Sequence, residues 1–306
     1  MKGKILVTDS LFIFDEHIKQ LEVAGFEIER LDKATATEEE LCKAIKGKVG
    51  YVLGGIEKVT QKVIDAADEL KVIAFTGADW RALITGCEKA TEKGIAITNA
   101  PGGNAYAVAE FALATGLAMQ RNLFELGRTG DKTFQTAQSF KDATIGVVGT
   151  GKIGGKIIAS LKGFSPKKIV YYSRTQKDNA ADFVDFDELL MVSDVIFVAV
   201  PGSAGELFNA EAIARIKEGA LLVSISPMNV INFDALLSRL KTGSLRAAID
   251  WPAPSGEFKK LPLSVYYGSN SHTAYNTYQA LKECSDMATQ SIINLLNTGK
   301  DKYKVN

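Results

Sequence analysis

Apolar residues recur along the chain in two alternating rhythms. Short runs such as KILVTD at 4–9, FEIERLD at 26–32, YVLGG at 51–55, KVIAFTGAD at 71–79 and IAITNAP at 95–101 read as strands. Between them, apolar positions spaced among charged ones predict helices near 14–25, near 37–46, near 60–70 and in a stretch leading to Gly94. Strands and helices in strict alternation imply βαβ units and a parallel sheet. NAYAVAEFALATGLAMQRNL, 104–123, reads as one long helix with apolar and small residues around most of its circumference, so it is buried on several sides. A polar, loop-rich passage follows, GRTGDKTFQTAQSFKD at 127–142. A second βα series then runs through IGVVGTGKIGGKI, KIVYYS, DVIFVAV, GALLVSIS and RAAID, and the chain turns helical again from Thr277. The pattern predicts two α/β domains with parallel sheets: residues 1–98 with about 278–306 in one, and 99–277 in the other.

Composition narrows the range of partners. The chain has 306 residues, 46% hydrophobic and 24% charged, enough to bury two ordinary cores. Thirty-six basic and 36 acidic residues cancel, which argues against nucleic acid or an anionic membrane surface as a partner. The apolar run at the start is too short for a signal peptide, and the segment around 107–119 carries Glu110 and is too short to span a bilayer. Cys42, Cys87 and Cys284 are scattered, without CxxC or Cys/His ligand spacing. Free packing thiols in a reducing cytoplasm, with no metal centre, are the expectation.

The strongest local motif is IGVVGTGKIGGKI, which sets Gly149, Gly151 and Gly154 in GxGxxG spacing between a strand and a helix. In that context the first glycine permits a tight turn, the second lets backbone approach a pyrophosphate, and the third allows close helix–strand packing. Thr150, Lys152 and Ile153 complete the loop, and the helix N-terminus adds free amides for phosphate oxygens. About 20 residues on, where an NAD site carries Asp or Glu, the chain has Ser173, Arg174 and Thr175, with Lys177 near. A guanidinium without a competing carboxylate suits a 2′-phosphate, so NADP(H) is favoured over NAD(H).

With these pieces in order, the chain resembles the D-isomer-specific 2-hydroxyacid dehydrogenases almost end to end. ATEKGIAITNAPGGNAYAVAEFALATGLAMQR looks like that family's crossover between domains, and VSDVIFVAVPGSAGELFNAEAIARIKEGALLVSIS is similar to its passage along the nicotinamide side of the cofactor. The resemblance implies two flavodoxin/Rossmann-like domains with a cleft between them, and a homodimer built largely through the long helix. It assigns Val200, Pro201 and Ser226 to the cofactor wall and Asp250, in RAAID, to the nicotinamide carboxamide. SHTAYNTYQA places the proton-transferring histidine on His272; the other histidine, His17 in DEHIK, is expected to be a solvated surface residue. The family's acidic partner of the histidine falls on Ser255, which leaves Glu257 as the only carboxylate in WPAPSGEFKK: either that partner or a solvated loop residue.

The substrate side departs from the family. Its carboxylate-binding arginine falls, without a gap from Lys217, on Pro227, in a loop whose possible donors are Ser224, Ser226 and Asn229. The substrate loop reads Gly77-Ala78-Asp79-Trp80-Arg81 in place of Gly-x-Gly. Backbone amides at Gly77 and Ala78 would hold a substrate carboxylate, Arg81 could attract it and Trp80 could wall the site; alternatively Asp79 caps a helix and Arg81 is a surface charge. Losing one preorganised donor at a developing oxyanion typically costs about 2.7–4 kcal/mol. Three readings follow: an NAD(P)-dependent reductase of a small 2-hydroxy/2-keto acid or related carbonyl with a remodelled site, a reductase of a substrate lacking the carboxylate, or a dinucleotide-binding regulatory protein without turnover.

Overall fold

The computed structural model describes residues 2–8, 13–33, 35–130, 136–177 and 181–306. Asp9 of the first predicted strand and positions 131–135 of the polar passage lie outside them. The chain divides into two compact units, Met1–Asn104 with Asn276–Asn306, and Ala105–Tyr275.

The first unit runs β1 (Lys4–Thr8), α1 (Asp15–Val23), β2 (Glu27–Leu31), α2 (Glu38–Ala44), β3 (Lys48–Leu53), α3 (Gln61–Ala66), β4 (Val72–Phe75), α4 (Cys87–Glu92) and β5 (Ala96–Thr98). Its sheet is parallel, in the order β2-β1-β3-β4-β5. Every residue of β3 and β4 is buried, as parallel strands covered on both faces require. Two separate apolar clusters, one around Leu41, Tyr51, Ile73 and Ile97 and the other around Ile5, Val52, Val72 and Ile292, cover the sheet. Thr37 and Thr60 cap α2 and α3 by accepting the N–H of Glu40 and Val63.

The second unit follows as α5 (Ala105–Gln120), α6 (Leu123–Thr129), β6 (Thr144–Val148), α7 (Lys152–Leu161), β7 (Lys168–Tyr172), β8 (Asp182–Phe183), α8 (Phe186–Val192), β9 (Val195–Val198), α9 (Ala210–Arg215), β10 (Leu221–Ser224), α10 (Phe233–Lys241), β11 (Arg246–Ile249), α11 (Gly256–Lys259) and β12 (Tyr266–Gly268). Its seven strands are parallel in the order β12-β11-β10-β9-β6-β7-β8. The order reverses at β6, so the crevice beyond its carboxyl end is where such a sheet accepts a ligand. The long helix α5 packs on this sheet through small residues; a Cβ at Gly116 would already stand 3.1 Å from the Phe197 ring. The predicted polar passage begins one element late, because α6 extends through Thr129 before ending on Gly130 at φ 63°.

The last helix, α12 (Tyr278–Thr298), returns to the first unit and overturns one expectation. His17 is not a solvated residue: it is fully buried between α1 and α12. Its Nδ1 accepts the Phe14 N–H at 3.0 Å, and its Nε2 meets Asp286 Oδ1 at 3.0 Å. The two elements are 269 residues apart in sequence, so the DEHIK context gave no sign of the helix that covers it. No helix among the described residues is long and apolar enough to cross a membrane.

Candidate functional site

The three glycines of the loop between β6 and α7 behave differently, as their positions demand. Gly149 has φ +92°, and a Cβ there would lie 2.4 Å from the Ala199 carbonyl oxygen. At Gly154 a Cβ would fall 1.8 Å from the Gly149 carbonyl oxygen, so only glycine lets α7 approach the strand so closely. Gly151, at the N-cap of α7, faces open space, with nothing within 4 Å of where a Cβ would stand. Beside it the Thr150 hydroxyl is buried yet has no hydrogen-bond partner. A buried hydroxyl of this kind at a helix N-terminus is what a bound phosphate would complete.

These residues open on a cavity of about 480 Å³ lined also by Ser173, Arg174, Thr175, Lys177, Val200, Pro201 and Leu207. The turn after β7 is tied down from within: Ser173 Oγ donates to the Thr175 carbonyl at 2.6 Å, and the Tyr171 hydroxyl bonds both the carbonyl and the N–H of Lys177. That leaves the exposed side chains of Arg174 and Lys177 without an ion-pair partner among the described residues. The fit to a dinucleotide is therefore good at the phosphates and at the edge of the ribose.

At the carboxyl end of β11 the buried Asp250 meets His272, Nδ1 to Oδ2 at 3.0 Å. The Thr273 and Ala274 N–H groups also donate to its two carboxylate oxygens, each at 3.1 Å. Burial works against the Asp250 charge, yet the bonds from His272, Thr273, Ala274 and Ser269 prevail and hold its carboxyl below the usual range. On His272 burial pushes the pKa down, but the Asp250 carboxylate outweighs it and the net shift is upward. Nδ1 faces two acceptors, the carboxylate and the Asp250 carbonyl oxygen at 3.3 Å, so it carries the proton. Nε2 has no partner among the described residues, and the side chain is 41% exposed.

One assignment changes here. Glu257 is not beside His272: it sits in the short helix α11, paired with Lys241 at 2.9 Å and with Lys260, and those two ammonium groups lower its pKa to about 2. Asp250 has its carboxylate turned to the 272–274 segment, where a buried charge finds the donors it needs. The sequence carried no signal for the pairing, since 22 residues and a strand separate the two. It also gave none for Trp251, whose indole stacks on the His272 ring.

The polar side chains of the loop after β10 bond to neighbouring backbone. Ser226 Oγ accepts the Val200 N–H at 2.8 Å and donates to the Val198 carbonyl. Ser224 Oγ accepts the Ser226 N–H, and the Asn229 amide donates to the Gly202 carbonyl at 2.7 Å. Asn229 and Ser226 thus tie the Pro227 loop to the Val198–Gly202 segment. In the first unit, Gly77 and Ala78 follow β4, their carbonyls accepting from the Ala100 N–H and the Asn99 amide. Trp80 is buried in the core there, with the exposed Arg81 guanidinium 4.4 Å over its ring, and Asp79 caps no helix, since α4 starts at Cys87. Near the ends of β1 and β3 a further buried cluster joins Thr8, Tyr51 and Glu57, whose second carboxylate oxygen has no partner among the described residues. No group of three or more His, Cys, Asp or Glu among the described residues could hold a metal ion.

Comparison with known proteins agrees with this geometry. Residues 110–263 match the model of the D-isomer specific 2-hydroxyacid dehydrogenase, NAD binding domain. The chain is 31% identical over 310 aligned positions to a D-3-phosphoglycerate dehydrogenase of Methanocaldococcus jannaschii, covering 96% of this chain and 57% of that protein. It therefore spans little more than half the length of that relative. It is 30% identical to a glyoxylate reductase of Thermococcus litoralis, covering 90% of this chain and 89% of that one. A crystal structure of a protein from Thermus thermophilus superposes with a TM-score of 0.87 at 26% identity, covering 99% and 100% of the two chains. On these grounds the chain belongs to the D-isomer-specific 2-hydroxyacid dehydrogenase family.

Proposed function

We propose that the chain is an NADP(H)-dependent oxidoreductase acting on a small 2-hydroxy/2-keto acid or related carbonyl compound, with His272 as its proton donor and acceptor. The observation that carries the reading is the pairing, within one unit, of a phosphate cradle at Gly149–Gly154 with a histidine whose Nε2 is free. A bound reduced nicotinamide would supply a hydride to the carbonyl carbon. The π pair of the C=O bond then moves onto oxygen, and His272 Nε2 delivers its proton there, giving the alcohol. Asp250 keeps Nδ1 protonated and stabilises the imidazolium before transfer, the work the family gives to a glutamate. Arg174 and Lys177 would meet a 2′-phosphate, which supports NADP(H) over NAD(H). The names of the relatives, glyoxylate reductase among them, support a 2-keto acid as substrate. Family membership also supports a homodimer formed largely through α5.

A specific observation favours a second reading, in which the substrate lacks the carboxylate. By the sequence resemblance the family's arginine falls on Pro227, and Ser224, Ser226 and Asn229 beside it bond to neighbouring backbone. NADPH oxidation measured across a panel of glyoxylate, hydroxypyruvate and neutral aldehydes and ketones tests both. Turnover of the 2-keto acids supports the first reading and turnover confined to neutral carbonyls the second. Tight NADPH binding with no turnover across the panel would sink the enzyme assignment and leave a regulatory dinucleotide binder.

A further inference from the structure

Trp251 follows Asp250 directly, and its indole lies parallel to the His272 imidazole, with ring centroids 4.3 Å apart and planes 9° from parallel. The indole has one hydrogen-bond donor, and it is committed: Nε1–H donates to the Ser226 carbonyl at 2.8 Å. Ser226 is itself bonded to Val198 and Val200, in the wall of the dinucleotide cavity. The imidazole is therefore held on its edge by Asp250 and across its face by a ring that cannot rotate without breaking a bond to the loop beside the cavity. Tyr275 approaches from the following segment at 5.6 Å and 54°, too tilted to do the same. Among the described residues Asp250 is the charged group felt by His272; Trp251 and Tyr275 are the other rings that face it.

Burial alone does not demand a parallel stack, since aromatic pairs pack as readily edge-to-face. A parallel stack does place the π face of the indole against the imidazole, and an indole is the best of the side-chain faces for a cation. We propose that Trp251 is a positioning residue for His272: anchored to Ser226, it fixes the imidazole plane, leaves Nε2 unengaged and favours the cationic, proton-donating form. The catalytic meaning of this rests on the proton-donor role proposed above, but the contact and its effect on the imidazole do not.

The test reads the imidazole directly. The chain has two histidines, so ¹³C-histidine NMR resolves them, with His272→Asn assigning the signals and His17 as an internal control. In Trp251→Leu the His272 titration midpoint is expected to fall by about half to one pH unit. Trp251→Phe, which keeps a ring but loses the bond to Ser226, should fall by less, and the His17 signal should not move in either variant. NADPH affinity should stay within about twofold of the parent's, while the alkaline limb of carbonyl reduction moves down with the titration. A His272 midpoint at the parent value in folded Trp251→Phe overturns the proposal, as does lost activity with an unmoved titration. A shifted midpoint in a protein that reduces no carbonyl keeps the positioning and removes the functional reading instead.

Discussion

The loop after β6 and the loop after β10 close strands of the same parallel sheet, yet they are built on opposite terms. Around Gly151 the structure leaves space and an unpartnered hydroxyl on Thr150. Around Pro227, Ser224, Ser226 and Asn229 each bond to neighbouring backbone. Polar atoms left unmatched in a packed place mark where a ligand belongs; matched ones hold the fold in shape. The loop after β6 thus keeps room for a ligand, while the side chains of the loop after β10 bond to neighbouring backbone.

That contrast can be broken at either loop. The largest effect is expected from His272→Asn, which should cut the rate of hydride transfer by about 10²–10⁴ while NADPH still binds, as single-turnover fluorescence would record. Normal single-turnover rates would remove His272 from the chemistry. Gly154→Val comes next: its Cβ cannot coexist with the Gly149 carbonyl, and overpacking of about 1–3 kcal/mol should weaken NADPH binding by one to two orders of magnitude by calorimetry. Arg174→Ala should lower the preference for NADPH over NADH by about tenfold, measured as a ratio of kcat/KM values. An unchanged ratio would make the arginine a bystander.

Asp250→Asn sharpens the comparison through pH. The folded pKa of His272 is raised above its ordinary 6.5, so the pair's contribution to stability is complete below 6.5 and fades as pH rises through the folded value. The folded pKa of Asp250 lies below its ordinary 3.8, so its contribution is complete above 3.8 and fades as pH falls through the folded value. The variant should lose stability between those limits in denaturant titrations, and its reductive activity should fall off at a lower pH than the parent's. The smallest effect is expected from Glu257→Gln: kcat and its pH profile should match the parent's, because Lys241 and Lys260, not His272, are its partners. A shifted profile there would reinstate Glu257 as the histidine's partner.

Much of the fold was legible in local chemistry. Parallel strands covered on both faces must be continuously apolar, as β4 and β9 are, and the helices between them start on side chains that can cap, such as Thr37, Thr60, Asp185 and Asn232. The glycine loop was legible for the same reason, since each glycine answers a constraint within a few residues of itself. What escaped was pairing across distance. His17 looked like a solvated residue among charges until α12 covered it, and Trp80 looked like a wall until the core took it. Glu257 was the nearest carboxylate in sequence to where the histidine's partner was expected, but helix α11 turns it toward two lysines.

By itself the sequence determined the alternation of strands and helices and the glycine loop between β6 and α7, because those depend on periodicity and backbone sterics. Only the tertiary structure decided that Asp250 pairs with His272, that Trp251 lies against its face and that Ser226 and Asn229 bond to neighbouring backbone. Those outcomes depend on which strand ends converge beyond the sheet, and a contact between convergent ends leaves no periodic trace along the chain.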